Sequence, residues 1–461
     1  MPTDLSAMSR GELVDLLYEQ AREIEILKEM LTQLQGKLEE KDSGDGSSKT
    51  PPSFVKANVK KKKKKTARKQ REHGFSRKLE TPTKTIFHSF NACPNCEGEH
   101  LGKPSVSYTR QIIDIPRSAY EVIEHVICKR YCFTCEKRVS PKADLSSFVV
   151  GKGRIGINLM AAIFTMKEEG DMTVNKIQKH LQTFYGLDIS LGEIIEILHQ
   201  EAGLGNGKYE EIKKGLLSSH VIYADETGGR EDGVNGYHWS FSNKRFHMLL
   251  YRKSRAAIVV KEIFGENGEH FQGVLSTDFY SSYNAYLGPH QRCWVHYLRD
   301  MKKLKEDNPK DRKLKTWIRA IHRVYEEAKS YTGPPAGTLV GLKEQVRIDK
   351  EIYFKQKLKK LCEPYIKTPV LQAKLAARGM RFIAEMFTFI RYEGVNSDNN
   401  MAERAVRKTV IKRKISFGTR SKKGSETRSV LGSLFGTWRL QNRNPFEEMR
   451  TILLRASCQV V

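Results

Sequence analysis

The sequence has few cysteines, no long hydrophobic run and a shortage of acidic residues. Eight cysteines in 461 residues are too few for a disulfide scaffold, so cysteines that cluster indicate a bound metal ion. No run approaches the roughly 18 apolar residues of a membrane span, and residues 1–10 lack the basic-then-apolar order of a secretory signal. We therefore expect a cytoplasmic protein that has no membrane partner.

The shortage of acidic residues leaves a formal charge of +26, from 80 Lys and Arg against 54 Asp and Glu. An excess of this size favours a polyanionic partner or a disordered basic tail. Two segments hold most of it, because residues 56–78 contain twelve basic residues and one Glu, and residues 400–428 contain ten and two Glu. The excess charge is therefore concentrated, not spread.

The first basic segment follows a Ser- and Gly-rich stretch, which predicts a disordered linker over residues 42–80. Such a linker would attract DNA phosphates without reading the base sequence. Its charge comes largely from a run of six lysines: Lys60, Lys61, Lys62, Lys63, Lys64 and Lys65. The second segment alternates its charges with Val406, Val410 and Ile411, which predicts a folded element with a basic face.

Apolar residues at alternating spacings of three and four predict a short heptad (coiled-coil) helix over residues 1–41. The seam is formed by Leu13, Leu17, Ile24, Leu27, Leu31, Leu34 and Leu38. This helix could pair two protomers or pack on its own chain. We favour the first interpretation and expect a homodimer or a higher oligomer.

Two CxxC pairs predict a zinc-binding domain over residues 81–150. Each turn lets two thiolates reach one tetrahedral ion, and four thiolates close the shell against water, which is typical of a structural site. The predicted Zn²⁺ ligands are Cys93, Cys96, Cys132 and Cys135. Strand-like stretches at 106–115 and 120–127 lie between the pairs and predict a hairpin, and Cys128 could replace Cys132 as a ligand.

Residues 151–215 have a helical pattern. The segments 173–181 and 190–199 could form a helix-turn-helix, and Ser190 with Glu193 forms a capping box for the second helix. Such a pair contacts DNA in some proteins and is a plain helical domain in others. We expect a helical region here and leave DNA contact open.

From residue 216 the pattern changes to strands, and the predicted order is three strands, helix, strand, helix, strand. The first strand, 221–224, ends at Asp225, the fourth, 273–277, ends at Asp278, and the last spans 292–295. This order is that of an RNase H-like fold, in which the first and fourth strands are neighbours. We therefore expect acidic residues at both strand ends to converge on one edge of the sheet.

Phosphoryl transfer on DNA requires two divalent cations held by carboxylates, and hard oxygen ligands suit Mg²⁺ or Mn²⁺. Asp225 and Asp278 supply two carboxylates, and Glu403 is the best third candidate because Ser397 or Asp398 can cap a helix that begins just before it. Glu226, Glu393 and Asp398 could take this position instead. Basic residues after Glu403 are expected to contact the DNA backbone: Arg404, Arg407, Lys408, Arg413 and Lys414.

The catalytic core is predicted over residues 216–430, with an all-helical insertion at about 297–390 and a helical segment over 431–461. At the start of the insertion, Cys293 and His296 are too few ligands for a metal site. We interpret them as a buried thiol and a hydrogen-bonded imidazole below the active site, although His296 could instead contact a phosphate.

Several motifs resemble the DDE transposases of the insertion sequence 66 family, and the resemblance covers nearly the whole chain. The motifs are Ala224-Asp225-Glu226-Thr227, Gly236-Tyr237-His238-Trp239, Thr277-Asp278 with Tyr283-Asn284, Cys293-Trp294-Val295-His296, Asn399 to Arg407, Arg413-Lys414 and Asn444-Pro445. The resemblance implies an α+β multidomain protein with Asp225, Asp278 and Glu403 as catalytic triad and the four CxxC cysteines as zinc ligands. It also implies hydrolysis at the ends of a mobile DNA element, followed by attack of the freed 3′-hydroxyl on target DNA.

We therefore predict a DNA transposase of a prokaryotic insertion sequence, bound to the nucleoid, which takes two Mg²⁺ or Mn²⁺ ions and one Zn²⁺. Its partners would be element ends, target DNA, further copies of the chain and possible accessory proteins of the same element. Two other functions are a metal-dependent nuclease of the same fold that does not join strands, and a non-catalytic zinc-containing DNA-binding regulator. An RNA-binding scaffold is disfavoured because the basic segments lack aromatic stacking motifs.

Overall fold

The computed structural model describes residues 81–113, 119–142 and 144–458. The chain divides into two units, Met1–Ile113 and Asp114–Val461. The predicted heptad helix and the lysine-rich linker with Lys60 to Lys65 lie outside the described residues. Within those residues, no helix combines the length and apolar character needed to cross a membrane.

The described part of the first unit is irregular apart from a turn around its CxxC pair. There the Glu97 amide donates to the Cys93 carbonyl (2.8 Å), and the Cys93 amide donates to the Gly98 carbonyl (2.9 Å). In the second unit, strands β1 (Arg130–Cys132) and β2 (Lys137–Val139) form an antiparallel hairpin around the other CxxC pair.

The predicted longer hairpin strands were wrong for the described residues. Residues 106–113 and 119–127 form no strand there. Their β-branched and aromatic side chains are exposed, with Val106 at 74% and Val122 at 79%. Strand propensity depends on a pleated surface that buries one face, and these segments bury neither face.

Three helices follow: α1 (Ile157–Glu168), α2 (Val174–Tyr185) and α3 (Leu191–Leu217). The predicted cap at the start of α3 is confirmed, because the Ser190 hydroxyl accepts from the Glu193 amide at 3.1 Å. The helix runs well beyond the predicted end at residue 199, since its apolar stripe continues to Ile212 and Leu216 and remains buried.

A mixed five-stranded sheet forms the centre of the second unit. Its order is β5-β4-β3-β6-β7, with β3, β4 and β5 antiparallel and β6 and β7 parallel to β3. The chain order of its elements is β3 (Val221–Glu231), β4 (Val234–Ser242), β5 (His247–Arg252), α4 (Ala257–Phe264), β6 (Val274–Thr277), a 3₁₀ turn (Ser281–Ala285) and β7 (His290–Arg292).

Two strand boundaries differ from the prediction. Strand β3 does not end at Asp225 but continues to Glu231, because every residue from 223 to 231 is paired with β4. The last strand ends at Arg292, and Trp294 already begins a helix, so the predicted strand over 292–295 was placed too late. An apolar Cys-Trp-Val run does not distinguish a buried strand from the first turn of a buried helix.

Helices occupy most of residues 294–391 and surround a second hydrophobic core that includes Trp294, Trp317, Phe354 and Phe387. They are α5 (Trp294–Asp307), α6 (Arg312–Lys329), α7 (Val340–Cys362), α8 (Ala373–Arg381), α9 (Ile383–Met386) and α10 (Thr388–Arg391). A 3₁₀ turn, Glu363–Tyr365, follows α7. The chain then returns to the sheet.

Three helices complete the second unit: α11 (Asn400–Ser416), α12 (Lys422–Leu440) and α13 (Pro445–Cys458). Helix α12 lies along the edge strand β5, and its hydroxyls accept hydrogen bonds from the outward amides of that strand. Ser429 accepts from Tyr251 (3.1 Å), Ser433 from Leu249 (2.8 Å) and Thr437 from His247 (3.0 Å). Four helical residues rise about 6 Å and two strand residues about 6.6 Å, so the two repeats match.

Glu201 of α3 is fully buried, and neither carboxylate oxygen has a hydrogen-bond partner among the described residues. Burial, and then the charge of Glu168, raises the pKa of Glu201 well above its ordinary value. The folded state therefore holds a proton that the unfolded chain releases near pH 4. This contribution to stability is present below that pH and is lost as the pH rises.

We therefore expect Glu201→Gln to leave stability nearly unchanged at pH 4 and to raise the melting temperature at pH 8. The gain at pH 8 should correspond to at least about 1 kcal/mol, since a buried group without a partner is relieved of its charge. Thermal unfolding followed by circular dichroism from pH 4 to 8 measures this effect. Glu210→Gln, on the exposed side of the same helix, is the control, and an equal gain at both pH values would contradict the expectation.

Candidate active site

Asp225 and Asp278 lie level with each other on adjacent strands. Strands β3 and β6 are parallel, and Tyr223 is opposite Ser276 in their register. Asp225 and Asp278 each come two residues later, Asp225 within β3 and Asp278 directly after β6. The two aspartates therefore share one edge of the sheet.

Glu403 lies in the first turn of α11, and two bonds from Asn399 attach the start of that helix to the same region. The Asn399 side-chain amide donates to the Ala224 carbonyl (2.7 Å), next to Asp225, and its backbone amide donates to the Cys293 sulfur (3.2 Å). Asn399 is the N-cap, whereas Ser397 or Asp398 was expected there; Asp398 instead accepts from the Asn400 amide at 3.1 Å.

The electrostatics of Asp225 show that the acidic residues converge. Burial, followed by the negative charges of Glu226 and Asp278, raises the pKa of Asp225 to about 7. The Glu403 carboxylate acts in the same direction. Carboxylates that raise one another's pKa are close enough to share a cation, which would relieve their repulsion.

Glu226 has both oxygens occupied by protein partners. Its Oε1 accepts from Arg255 Nη2 (2.6 Å), and its Oε2 accepts from the Tyr283 hydroxyl (2.5 Å). Glu393 is 86% exposed and pairs with Arg347, and Asp398 bonds the start of α11. These three carboxylates are therefore engaged elsewhere in the described structure.

Glu403 is less constrained. Its Oε1 is buried and makes no hydrogen bond to any residue that the structure describes. The nearest cations are His296 Nε2 at 3.6 Å and Arg299 Nη2 at 3.5 Å. Cys293, the other polar residue of that motif, is fully buried, and burial raises the pKa of its thiol.

The donor set suits a hard divalent cation. Asp225, Asp278 and Glu403 offer oxygen ligands, which Mg²⁺ and Mn²⁺ prefer, and Glu403 has a buried oxygen that lacks a partner. No three His, Cys, Asp or Glu side chains in the described ranges already form the compact group that encloses an ion. The charge of the site, and not a preformed shell, is what fits a metal here.

A buried arginine behind Asp278 was not identified from the sequence. Arg292 is fully buried, and its Nη1 donates to the Asp278 carbonyl (2.9 Å) and to Thr277 Oγ1 (3.2 Å). Its Nη2 donates to the Asn284 side chain, and its Nε donates to Glu385 Oε2 at 2.5 Å. The sequence signal that could have revealed it is a charged residue within a predicted buried strand.

The basic residues of α11 fall into two groups. Arg404, Arg407 and Lys414 are exposed. Lys408 instead donates to the carbonyls of Glu168 (2.8 Å) and Glu169 (3.0 Å). Arg413 is similarly engaged, because its Nη1 donates to the Gly228 carbonyl (2.7 Å) and to Thr227 Oγ1 (3.1 Å). Lys408 and Arg413 thus fix the helix to the rest of the unit.

The two CxxC pairs belong to different units, Cys93 and Cys96 to the first and Cys132 and Cys135 to the second. Each pair forms a turn whose hydrogen bonds favour a thiolate. The amides of Asn95 and Cys96 lower the pKa of Cys93, and the amide and then the thiol of Cys135 lower the pKa of Cys132. Thiolates are the form of cysteine that binds metals.

Carboxylates that converge beside a basic helix are typical of enzymes that act on nucleic acids. Comparison with protein families identifies the class: residues 152–427 match the Transposase IS66 family, and residues 91–136 match the zinc-finger binding domain of transposase IS66. The chain therefore belongs to the IS66 family of transposases, as its motifs predicted. No curated protein matches the sequence.

Proposed function

We propose that the chain is a DDE-type transposase that cleaves DNA at the ends of an insertion sequence and joins the cleaved ends to target DNA. The parallel register of β3 and β6 carries the proposal, because it sets Asp225 level with Asp278. The sheet order supports an RNase H-like core, with three antiparallel strands followed by two strands parallel to the first. Helices α5 to α10 would be its insertion.

Asp225, Asp278 and Glu403 would hold two Mg²⁺ or Mn²⁺ ions, which activate the attacking oxygen and stabilise the leaving oxygen of a phosphodiester when bound. The protein's own part is to fix these carboxylates. Asn399 attaches the helix of Glu403 to Ala224, and Arg292 holds the backbone of Asp278. Arg255 and Tyr283 keep Glu226 turned aside.

The DNA backbone would lie along the exposed cations of α11. Arg404, Arg407 and Lys414 are exposed and follow Glu403 on the same helix, so they can contact phosphates close to the bond that is cut. Lys60 to Lys65 would add attraction that falls steeply with salt. The assembly would contain at least two copies of the chain, because two element ends must be joined.

An assay with two DNA substrates tests the proposed reaction. Purified protein and Mn²⁺ are incubated with an intact element end, or with an end that is already cleaved, together with a supercoiled target plasmid. We expect cleavage of the first substrate and joining of the second to the plasmid. Cleavage without joining would identify a nuclease, and DNA binding without either reaction would identify a non-catalytic regulator.

We further propose that Cys93, Cys96, Cys132 and Cys135 bind one structural Zn²⁺. The family match over residues 91–136 supports zinc, and the lowered pKa values of Cys93 and Cys132 support thiolate ligands. Four sulfur ligands would leave no position open for catalysis.

Metal analysis should therefore find one zinc ion per chain. We expect Cys93→Ser and Cys132→Ser to lose it and to melt at a lower temperature, because structural zinc contributes directly to folding free energy. Cys128→Ser and the exposed Cys458→Ser are the controls and should retain zinc. Wild-type protein without zinc and with four reactive thiols in this segment would contradict the proposal, and zinc loss in Cys128→Ser alone would replace Cys132 by Cys128.

A further inference from the structure

A cavity of about 390 Å³ lies on the side of α11 that faces away from Glu403. Met401, Ala405, Lys408 and Lys412 of that helix line it at spacings of four and three, which form a single stripe. Glu403 is two residues from both Met401 and Ala405 and therefore projects from the opposite side of the helix. The cavity and the carboxylates are neighbours across one helix.

The cavity has an excess of positive charge. Five cations and two carboxylates line it, and the cations are Arg404, Lys408, Lys412, Arg428 and Arg439. Glu168 pairs with Lys412, and Glu169 lies 3.7 Å from Arg439. The carboxylates are therefore already paired, and the remaining charge of the lining is positive.

Arg428 is the cation that lacks a partner. Its Nη2 is buried and makes no hydrogen bond within the described chain. Burial lowers the pKa of Arg428, and the charge of Glu168 offsets this only in part. A second donor, the Ser242 hydroxyl, also lines the cavity, is 1% exposed and has no described partner. Buried donors without acceptors are costly, and an anion would satisfy both.

The rest of the lining is apolar. Leu249, Met401, Phe435 and Leu440 provide most of that surface, and the volume falls within the range of small-molecule sites. A ligand that fits this lining has a flat apolar body and a negative group. Among the components of DNA, a nucleotide has this combination, with a base that can pack on apolar side chains and a phosphate that matches a guanidinium.

We propose that this cavity binds a single nucleotide, with its phosphate on Arg428 and its base against Phe435 and Leu249. The source could be a free nucleotide or an unpaired nucleotide of a DNA strand, and only the second rests on the proposed function. An enzyme that takes a nucleotide out of the stack spends a few kcal/mol on unstacking it. A pocket beside the catalytic helix would return part of that cost at the DNA end being processed.

Isothermal titration of the full chain with deoxyadenosine monophosphate tests the cavity. We expect binding at least tenfold tighter than that of deoxyadenosine or of inorganic phosphate alone. Arg428→Met, which removes the cation, and Ala405→Leu, which fills the cavity, should each weaken binding at least tenfold. Arg428→Met should still fold, because an apolar residue of similar length replaces an unpaired buried charge. Arg455→Met, an exposed arginine on α13, is the matched control.

A duplex element end with 2-aminopurine at its terminal positions separates the two sources. If the nucleotide comes from DNA, its fluorescence should rise on binding to the wild type and not to Ala405→Leu. The Asp225→Asn variant should bind the monophosphate like the wild type, so loss of catalysis and loss of this site are distinguishable. The proposal is overturned if the wild type does not bind the monophosphate, or if both cavity variants bind it unchanged.

Discussion

Asp225→Asn, Asp278→Asn and Glu403→Gln should each reduce DNA cleavage and strand joining by about 10³-fold or more. The metal ions are expected to supply several kcal/mol of transition-state stabilisation, and each 1.36 kcal/mol corresponds to tenfold in rate. The substitutions keep the size of each side chain and remove its charge. Binding of element-end DNA should persist, because the exposed cations that follow Glu403 remain. Gel-based cleavage assays and fluorescence anisotropy measure the two effects separately.

Glu306→Gln is the matched control for these variants. Glu306 is an exposed acid on α5 that pairs with Lys302 one turn earlier, so its neutralisation should leave both cleavage and DNA binding unchanged. Wild-type cleavage by any purified triad variant would remove that residue from the catalytic assignment. Loss of activity in Glu393→Gln or Asp398→Asn together with an active Glu403→Gln would move the third position to one of them.

Arg292→Lys should cost about 3–5 kcal/mol of stability, the range for breaking a buried ion pair. A single ammonium cannot replace a guanidinium that bonds Asp278, Asn284 and Glu385 at once. Burial already lowers the pKa of Arg292, and the charge of Glu385 is the main compensation. Chemical unfolding measures the loss, and cleavage should also slow because the backbone of Asp278 is no longer held.

Arg319→Lys, on the exposed side of α6, provides the comparison and should change stability by less than about 0.5 kcal/mol. If Arg292→Lys unfolds at the same denaturant concentration as Arg319→Lys, the buried network does not stabilise the sheet. If it loses stability and cleaves normally below its unfolding transition, Arg292 does not position Asp278.

Local patterns predicted the elements that depend on neighbouring residues. The cap at Ser190 follows from a hydroxyl three residues before Glu193, and the buried strands before Asp225 and Asp278 follow from apolar runs that end in an acid. The mixed sheet needed only the order of strands and helices, because few arrangements satisfy that order. Candidate carboxylates at the ends of adjacent strands could therefore be named from the sequence.

Contacts between distant segments could not be predicted in this way. Lys408 binds carbonyls about 240 residues earlier in the chain, and a single sequence does not distinguish such a lysine from one that contacts DNA. Arg292 presents the same difficulty, since its partner Glu385 lies 93 residues away. Glu226 looked as available as its neighbour Asp225 until Arg255 and Tyr283 were found on it.

The hydroxyl row of α12 on β5 also restricts how copies of this protein can associate. An exposed edge strand can recruit a strand from another molecule, but Ser429, Ser433 and Thr437 occupy the amides through which β5 would do so. At the opposite edge, the Thr388 hydroxyl donates to the His290 carbonyl of β7 at 2.6 Å. Two copies that bring DNA ends together must therefore meet through helices or through residues 1–80, and not through a sheet continuous across the protomers.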